Sequence, residues 1–209
     1  GQWSMGLTAD LQLAINGNEA KGAWQMSAGD EAWFKLASRS GREQVGSFCR
    51  DDDLHCLARN EGRLALDETR KFWQTWLARS ETGRSVTLGP FREMVERSAL
   101  VLKLLYFDPA STIAAAATTS LPEEIGGTRN WDYRYTWIRD TSFTLAALFH
   151  LGHLSETEGY LRWLEKIISG HGTDKLQIMY GLRGETNLAE VELSHLDGYK
   201  GSRPVRIGN

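Results

Sequence analysis

Hydrophobic and polar residues alternate with a period of two along the first 47 residues of the chain. The turn sequence Asn16-Gly17-Asn18 interrupts the alternation. Alternation between glycine and asparagine turns predicts an antiparallel sheet with one solvated face. Three strands alone would leave an apolar face and two edges uncovered, so we expect residues 1–47 to be part of an antiparallel β-sandwich. The apolar positions of the predicted strands are Leu11, Leu13 and Ile15, then Trp24 and Met26, then Ala32, Phe34 and Leu36.

The spacing of apolar residues becomes helical after a polar segment. Residues 48–63 contain the charged run Arg50-Asp51-Asp52-Asp53 and predict a linker. Asp67 then suits the N-cap of a helix whose apolar stripe, from Phe72 to Leu77, ends at Ser80. We therefore predict that residues 48–88 form a linker that contains one helix.

Three more helices are predicted further along the chain. The first begins at Gly89-Pro90 and ends at Asp108-Pro109, because proline suits the first turn of a helix and cannot continue one. The second starts after Asp140, which is placed to cap it, and ends near Gly152. The third opens with a capping box from Ser155 to Glu158. Few residues join the last two helices, so we expect an antiparallel αα-hairpin.

The composition excludes several classes of function. With 41% hydrophobic and 24% charged residues, the 209-residue chain is typical of a globular protein. The net charge of −3 argues against a nucleic-acid partner, and no apolar run approaches the ~20 residues that a membrane helix needs. Two cysteines are too few for a disulfide framework, which favours a cytoplasmic setting. The chain does not begin with methionine, so we expect its true start to lie upstream.

The candidate chemistry is concentrated in residues 129–140. Four aromatic residues, three arginines and two aspartates occupy these twelve positions. Such a mixture suits a core poorly, because buried charges need partners and buried tyrosines need hydrogen bonds. It suits a sugar well, because aromatic rings stack on C–H faces while guanidinium and carboxylate groups bind hydroxyls. We therefore interpret the segment as a carbohydrate site, although Arg139 and Asp140 could also be a simple ion pair at a helix start.

The other polar clusters do not indicate a metal site or a catalytic site. Cys49, His55 and Cys56 lack the paired spacing of zinc ligands, and residues 50–53 lack the offsets of a calcium loop. Glu123 and Glu124 are adjacent in a loop, where neighbouring side chains point apart, so we assign them no acid–base role. We predict no metal and no cofactor.

Longer motifs resemble a known family. The segments TTSLPEEIGG at residues 118–127 and NWDYRYTWIRD at 130–140 closely resemble glycoside hydrolase family 15, which contains glucoamylases, glucodextranases and bacterial and archaeal trehalases. The segments LQIMYG at 176–181 and HLDGYKGSRPVRIGN at 195–209 agree in the same order. The strong resemblance covers roughly residues 66 to 209.

The resemblance implies a mixed fold. It consists of a partial antiparallel β-sandwich in residues 1–47, a helical linker in 48–88, and the first helices of an (α/α)6 toroid in 89–209. Because the toroid would be incomplete, we expect the chain to be an N-terminal fragment. The implied activity is hydrolysis of an α-glucoside with inversion, releasing glucose from the non-reducing end of an α-glucan or of trehalose.

The resemblance also implies roles for individual residues. Tyr133, Trp137, Arg139 and Asp140 would line the subsite of the terminal glucose. A second loop of the same pocket would supply Tyr199, Arg203 and Arg206. The two catalytic glutamates are expected beyond Asn209, so we predict that this chain alone is inactive.

One alternative stays open. Regulatory subunits of phosphorylase kinase carry a similar toroid, so the chain could instead belong to a non-catalytic sugar-binding module. The complete aromatic and Arg-Asp lining favours the enzyme, because a degenerate site has no chemical reason to keep it. The substrate's linkage and the oligomeric state are left open by the sequence.

Overall fold

A computed structural model describes residues 3–40, 54–83, 87–171 and 176–208 of the chain. The chain divides into two compact units, residues 1–75 and residues 76–209. The described residues of the first unit contain four strands and most of the first helix. The second unit contains the end of that helix, the other helices and several short strand pairs. In the described part of the chain, none of the helices combines the length and apolar character that a bilayer span requires.

The strands of the first unit form two antiparallel pairs. β1 pairs with β4, with Ala9 opposite Phe34. β2 and β3 form a hairpin around Asn16-Gly17-Asn18, so the turn predicted at these residues is confirmed. Four apolar side chains on the β1–β4 pair, those of Met5, Leu7, Phe34 and Leu36, are exposed. The bounds are β1 Trp3–Ala9, β2 Ala14–Asn16, β3 Glu19–Lys21 and β4 Phe34–Ser40.

Two of the three predicted strands are wrong in position. The structure has no strand at Trp24–Met26 within the described range 3–40, and only the end of the predicted Leu11–Ile15 strand is extended. Side-chain hydrogen bonds to the backbone, which compete with strand pairing, lie near the ends of this stretch. The Asp30 carboxylate accepts from the Ser27 N–H at 2.7 Å. The Asp10 carboxylate accepts from the Trp33 N–H at 2.8 Å, next to the last β1–β4 pair.

The first helix, α1, is much longer than predicted. It spans Leu54–Gly83, so the helix start predicted at Asp67 is wrong, while residues 41–53 lie outside the described part. Leucine, alanine, arginine and glutamate dominate its first half, and their helix propensity outweighs the single interruption at Gly62. The glycine has a packing role, because a Cβ there would lie 2.5 Å from the Trp33 ring.

In its described residues, the second unit contains three further helices and three antiparallel strand pairs. A short 3-10 turn, Gly89–Phe91, leads into α2, so the prediction of a proline in the first turn is confirmed. β5 pairs with β6, β7 with β8, and β9 with β10. The helices are α2 Arg92–Leu104, α3 Ile138–His150 and α4 Leu154–His171. The strands are β5 Tyr106–Phe107, β6 Thr112–Ile113, β7 Thr136–Trp137, β8 Met179–Tyr180, β9 Val191–Glu192 and β10 Arg206–Ile207.

A hydrophobic cluster fixes the junction between β7 and α3. It joins side chains from β6, α3, α4 and β8. Thr136 of β7 is fully buried beside it and lies opposite Tyr180 in the sheet register. Burial of this order stabilises by roughly 1.5–3 kcal/mol per large side chain, so the start of α3 is held firmly. The members are Ile113, Leu145, Tyr160, Trp163, Ile167 and Tyr180.

The predicted helix caps are wrong, although the hairpin is present. α3 begins at Ile138, so Asp140 lies inside its first turn and the N-cap residue is Trp137, which makes no capping hydrogen bond among the described residues. α4 begins at Leu154, which places Ser155 inside the helix, where its hydroxyl donates to Glu156 instead of forming a capping box. In both cases a tertiary contact lies at the observed helix start: the Ile138 N–H donates to the Ile178 carbonyl at 3.0 Å, and the ring of His153, which precedes α4, stacks on Trp76. α3 and α4 pack against each other across residues 151–153.

A buried polar cluster joins α1, α2 and α4 within the second unit. The Glu156 carboxylate accepts from Trp76 Nε1 at 2.9 Å and lies 2.8 Å from Lys103 Nζ. The His153 ring stacks on the Trp76 indole at 3.6 Å between centroids. Burial alone would raise the pKa of Glu156, but its hydrogen bonds from Lys103, Trp76 and Ser155 outweigh burial and lower the pKa to about 2.

Replacing Gly159 by alanine is expected to destabilise the second unit. A Cβ at this position of α4 would lie 2.5 Å from Tyr106 Oη and 3.0 Å from Ser111 Oγ. Overpacking of this kind costs about 1–3 kcal/mol, which urea denaturation would detect as a lower midpoint. Gly170→Ala is the matched control, because a Cβ at that position of the same helix meets no described atom within 4 Å. It should be neutral or stabilising by up to about 1 kcal/mol, and an equal loss in both variants would contradict the packing argument.

Candidate functional site

A cavity of about 340 Å³ lies at the junction of β7 and α3. It contains four of the seven residues that the resemblance assigned to sugar binding, namely Tyr133, Trp137, Arg139 and Asp140. Trp131 and Ala115 complete the lining. A volume at the low end of the range for ligand pockets suits one small ring better than a long oligomer.

Backbone pairing between two segments builds one wall of the cavity. The Ala116 N–H donates to the Tyr133 carbonyl and the Ala115 N–H to the Tyr135 carbonyl, both at 2.9 Å. The Ser120 N–H donates to the Trp131 carbonyl at 2.7 Å. Alternate side chains of an extended segment point to opposite sides. Trp131 and Tyr133 therefore share the cavity side.

Asp132 anchors this wall from the opposite side. Asp132 is 2% exposed. Its carboxylate accepts from Arg134 Nε at 2.8 Å and Nη2 at 2.7 Å, and from the Gly208 N–H at 3.1 Å. Burial alone would raise the pKa of this carboxyl, but the hydrogen bonds from Arg134 and Gly208 outweigh it and hold the pKa below its usual range. The ion pair thus fixes the backbone between two residues of the cavity wall.

Two buried polar atoms in the lining have no hydrogen-bond partner among the described residues. They are the donor Trp137 Nε1 and the acceptor Asp140 Oδ2. Arg139 Nη2 lies 3.2 Å from Asp140 Oδ2 and forms an ion pair whose angles fall outside hydrogen-bond geometry. Unsatisfied buried groups are costly and call for an explanation. A hydroxyl group both donates and accepts, so a polyhydroxylated ligand could satisfy the two atoms.

The Arg139 guanidinium lies beside the aromatic part of the same cavity. Its carbon is 5.7 Å from the centroid of the Trp137 ring, within the range of a cation–π contact. The side chain is largely exposed, so its donors face the cavity mouth and solvent. Aromatic surface and guanidinium donors therefore occur together, as the sequence predicted for a sugar site.

The other three predicted residues are not in the described lining of this cavity. Tyr199 lies exposed in a 3-10 turn, and Arg203 forms an ion pair with Asp197. Arg206 Nε lies 3.4 Å from Glu190 and 3.9 Å from Glu192. A role for Tyr199, Arg203 and Arg206 in the same pocket stays a prediction.

Comparison with known proteins identifies the family. Residues 89–209 match the model of Glycosyl hydrolases family 15. The chain belongs to this family. The resemblance inferred from residues 118–140 and 176–209 is therefore confirmed. No solved structure matches the chain.

Several relatives of this family 15 chain are trehalases. The trehalase of Thermoplasma acidophilum is 44% identical over 206 residues, which cover 99% of this chain and 32% of the relative. The trehalase of Mycolicibacterium smegmatis is 36% identical over 206 residues, which cover 97% of this chain and 28% of the relative. That of Mycobacterium tuberculosis is 35% identical over 210 residues, with the same coverage. The chain spans less than a third of the length of these relatives.

The family 15 motif also contains two residues of the predicted site segment to which the sequence gave no individual role. Trp131 lies in the cavity wall, where its Nε1 donates to Glu123 Oε1 at 3.1 Å. Asp132 anchors the same wall from the side opposite the cavity. The i, i+2 spacing of Asp132 and Arg134 in an extended segment, which places both side chains on one side, could have indicated the ion pair. The contact of Trp131 with Glu123 depends on a loop that no local pattern predicts.

Proposed function

We propose that this chain provides the glucose-binding part of an enzyme that hydrolyses an α-linked glucoside with inversion, releasing glucose from the non-reducing end. The observation that carries the proposal is the pair of unsatisfied buried atoms, Trp137 Nε1 and Asp140 Oδ2, inside an aromatic cavity. Trehalose is the preferred candidate substrate, because the trehalases are relatives over nearly the whole chain. Other α-glucans share the same terminal ring.

In the proposed complex, the glucose ring lies between aromatic and charged groups. Tyr133 and Trp137 present ring surfaces to its C–H faces, while Arg139 and Asp140 bind its hydroxyls. Asp140 Oδ2 accepts a hydrogen bond from a sugar hydroxyl, and Trp137 Nε1 donates one to a sugar oxygen. Tyr199, Arg203 and Arg206 are proposed to approach the same sugar from the second loop.

The reaction needs two carboxyl groups. A general acid protonates the leaving oxygen, and a general base activates a water molecule on the opposite face, with the two groups roughly 6.5–9.5 Å apart. Within the described lining of the cavity, Asp140 is the single carboxyl-bearing residue, and we assign it to hydroxyl binding. We therefore propose that two glutamates from a part of the enzyme outside these 209 residues supply the acid and the base.

The domain division follows from the same proposal. Residues 1–47 would belong to a β-sandwich, residues 48–88 to a helical linker, and residues 89–209 to the beginning of an (α/α)6 toroid. The helical hairpin α3–α4 and the family match over residues 89–209 support this division.

The proposal predicts that the purified 209-residue chain releases no glucose from trehalose or maltose, while the full-length enzyme does. A coupled glucose assay on both proteins, at equal molar concentration, measures this. Turnover by the 209-residue chain would contradict the assignment of both catalytic carboxyls to another part of the enzyme. Sugar binding without glucose release by the full-length protein would instead indicate a non-catalytic module.

A further inference from the structure

We infer that Trp131, oriented by Glu123, binds the second sugar ring of the substrate, the ring released as the leaving group. This inference rests on the proposed function, and it makes Trp131 a determinant of specificity for disaccharides. It also gives Glu123 a positioning role. Three features of the cavity carry it: the two buried atoms that the first sugar ring satisfies, the fixed orientation of the indole, and the ion pair of Glu123.

Atom burial places the terminal glucose within the cavity. Trp137 Nε1 and Asp140 Oδ2 are both buried, although 42% of the Asp140 side chain is exposed, so the glucose that satisfies them lies against these two atoms. The groups that hold the Trp131 indole are open to solvent, since the side chains of Glu123 and Arg129 are 52% and 72% exposed. The contact between Trp131 and Glu123 is therefore on the solvent side of the same cavity. A disaccharide whose first ring lies against the two buried atoms can extend its second ring along this indole.

The Trp131 indole is held in one orientation. Its Nε1 donates to Glu123 Oε1 at 3.1 Å, and its backbone N–H donates to Ser120 Oγ at 2.8 Å. The neighbouring Asn130 Nδ2 donates to the Pro204 carbonyl at 2.7 Å, which ties the segment to the second loop. A preorganised aromatic surface binds with less loss of conformational freedom than a mobile one. The indole face is thus available for stacking without rearrangement.

Both oxygens of the Glu123 carboxylate already have partners. Oε1 accepts from Trp131, and Oε2 lies 3.3 Å from Arg129 Nη1. The Glu123 N–H also donates to the Arg129 carbonyl at 2.9 Å, which closes the loop on itself. This geometry suits a Glu123 side chain that holds the indole in place. Glu123 therefore acts on the substrate through Trp131.

The test compares two substrates in the full-length enzyme. Trehalose has a second sugar ring, whereas α-D-glucosyl fluoride has only the terminal glucose, and its hydrolysis forms glucose and fluoride. Trp131→Ala is expected to lower kcat/KM for trehalose roughly tenfold, mainly through KM, because one stacking contact is lost. For the fluoride, kcat/KM should change less than about twofold. Trp131→Phe keeps a ring without the Nε1 bond and should show a smaller loss on trehalose alone.

Variants of Glu123 test the positioning role. Glu123→Ala removes the acceptor for Trp131 Nε1 and is expected to weaken trehalose hydrolysis selectively, by less than Trp131→Ala does. Glu123→Gln keeps an acceptor oxygen and should restore most of the activity. Glu124→Ala, at the exposed neighbouring position, is the matched control and should leave both substrates unaffected.

The outcomes separate this inference from the proposed function. Equal losses on trehalose and on the fluoride in both Trp131 variants would overturn the inference, because the indole would then act on the terminal glucose or on the fold. Unchanged trehalose kinetics in those variants would overturn it as well. In either case glucose release by the unmodified enzyme would leave the proposed function standing. If the unmodified enzyme releases glucose from neither substrate, the proposed function fails, and this inference fails with it.

Discussion

Replacing Asp140 by alanine in the full-length enzyme is expected to lower kcat/KM for trehalose on the order of a hundredfold. The Oδ2 atom is buried in the cavity without a hydrogen bond from the described residues, so a sugar hydroxyl that donates to it forms a charge-assisted bond. The substitution removes that bond and also the partner of Arg139. Steady-state kinetics with trehalose measure the effect.

Two control variants distinguish this loss from a folding defect. Asp140→Asn keeps the shape and one acceptor oxygen, so it should retain more activity than the alanine variant. Asp108→Ala removes an exposed carboxylate of the same unit and should change kcat/KM less than about twofold. Because Asp140 lies in the first turn of α3, its loss should cost only about 0.3–1 kcal/mol of stability. Unchanged kinetics in Asp140→Ala would show that the cavity is not the glucose site.

Local sequence signals predicted the elements whose formation depends on local interactions. The turn at Asn16-Gly17-Asn18 and the helix start at Gly89-Pro90 were found because glycine and proline restrict the backbone wherever they occur. The start of α1 was missed, because the charged run before it and Gly62 were given more weight than the helix propensity of residues 54–66. The caps at Asp140 and Ser155 failed for a different reason, because tertiary contacts of Ile138 and His153 lie at the observed helix starts.

The candidate site also has one part that the local sequence predicted and another that depends on tertiary contacts. Tyr133, Trp137, Arg139 and Asp140 were proposed from one continuous motif, and the structure brings them into one cavity. Ala115 was missed, since it joins the cavity only when residues 115–120 pair with residues 131–135. Such pairing is set by the whole fold, so the spacing of residues along the chain does not predict it. The predicted second loop, with Arg203 and Arg206, depends on still longer-range contacts and remains a prediction.

Replacing Glu156 by glutamine is expected to cost about 3–5 kcal/mol of unfolding free energy. The carboxylate and Lys103 Nζ lie 2.8 Å apart with side chains that are 4% and 12% exposed, so removing one charge leaves the other buried and unpaired. Glu158→Gln is the matched control on the same helix, because its ion pair with Arg162 is exposed and 3.7 Å long. It should change stability by less than about 1 kcal/mol. Urea denaturation of each variant near neutral pH gives the comparison.

The same cluster predicts how stability depends on pH. The pKa of Glu156 is about 2 in the folded protein, against an ordinary value of 4.5, so its contribution is fully present above pH 4.5 and is lost as the pH falls towards 2. The loss is on the order of 3 kcal/mol. Glu156→Gln should remove this part of the pH dependence. A second, earlier loss should remain in that variant, because burial lowers the pKa of His153 and its protonation below pH 6.5 opposes folding.

A double substitution decides whether the pair itself stabilises the fold. Glu156→Gln with Lys103→Met removes both charges, so no unpaired ion is left behind, and apolar replacement of a buried pair is often neutral. The double variant should therefore recover most of the stability that Glu156→Gln loses. Failure to recover would mean that the carboxylate stabilises the fold mainly through its charge-assisted hydrogen bonds from Trp76 Nε1, at 2.9 Å, and Ser155 Oγ, at 2.8 Å, with the His153 ring stacked on the same indole. In that case the cluster would stabilise the helices through hydrogen bonding and stacking, and Lys103 would contribute little.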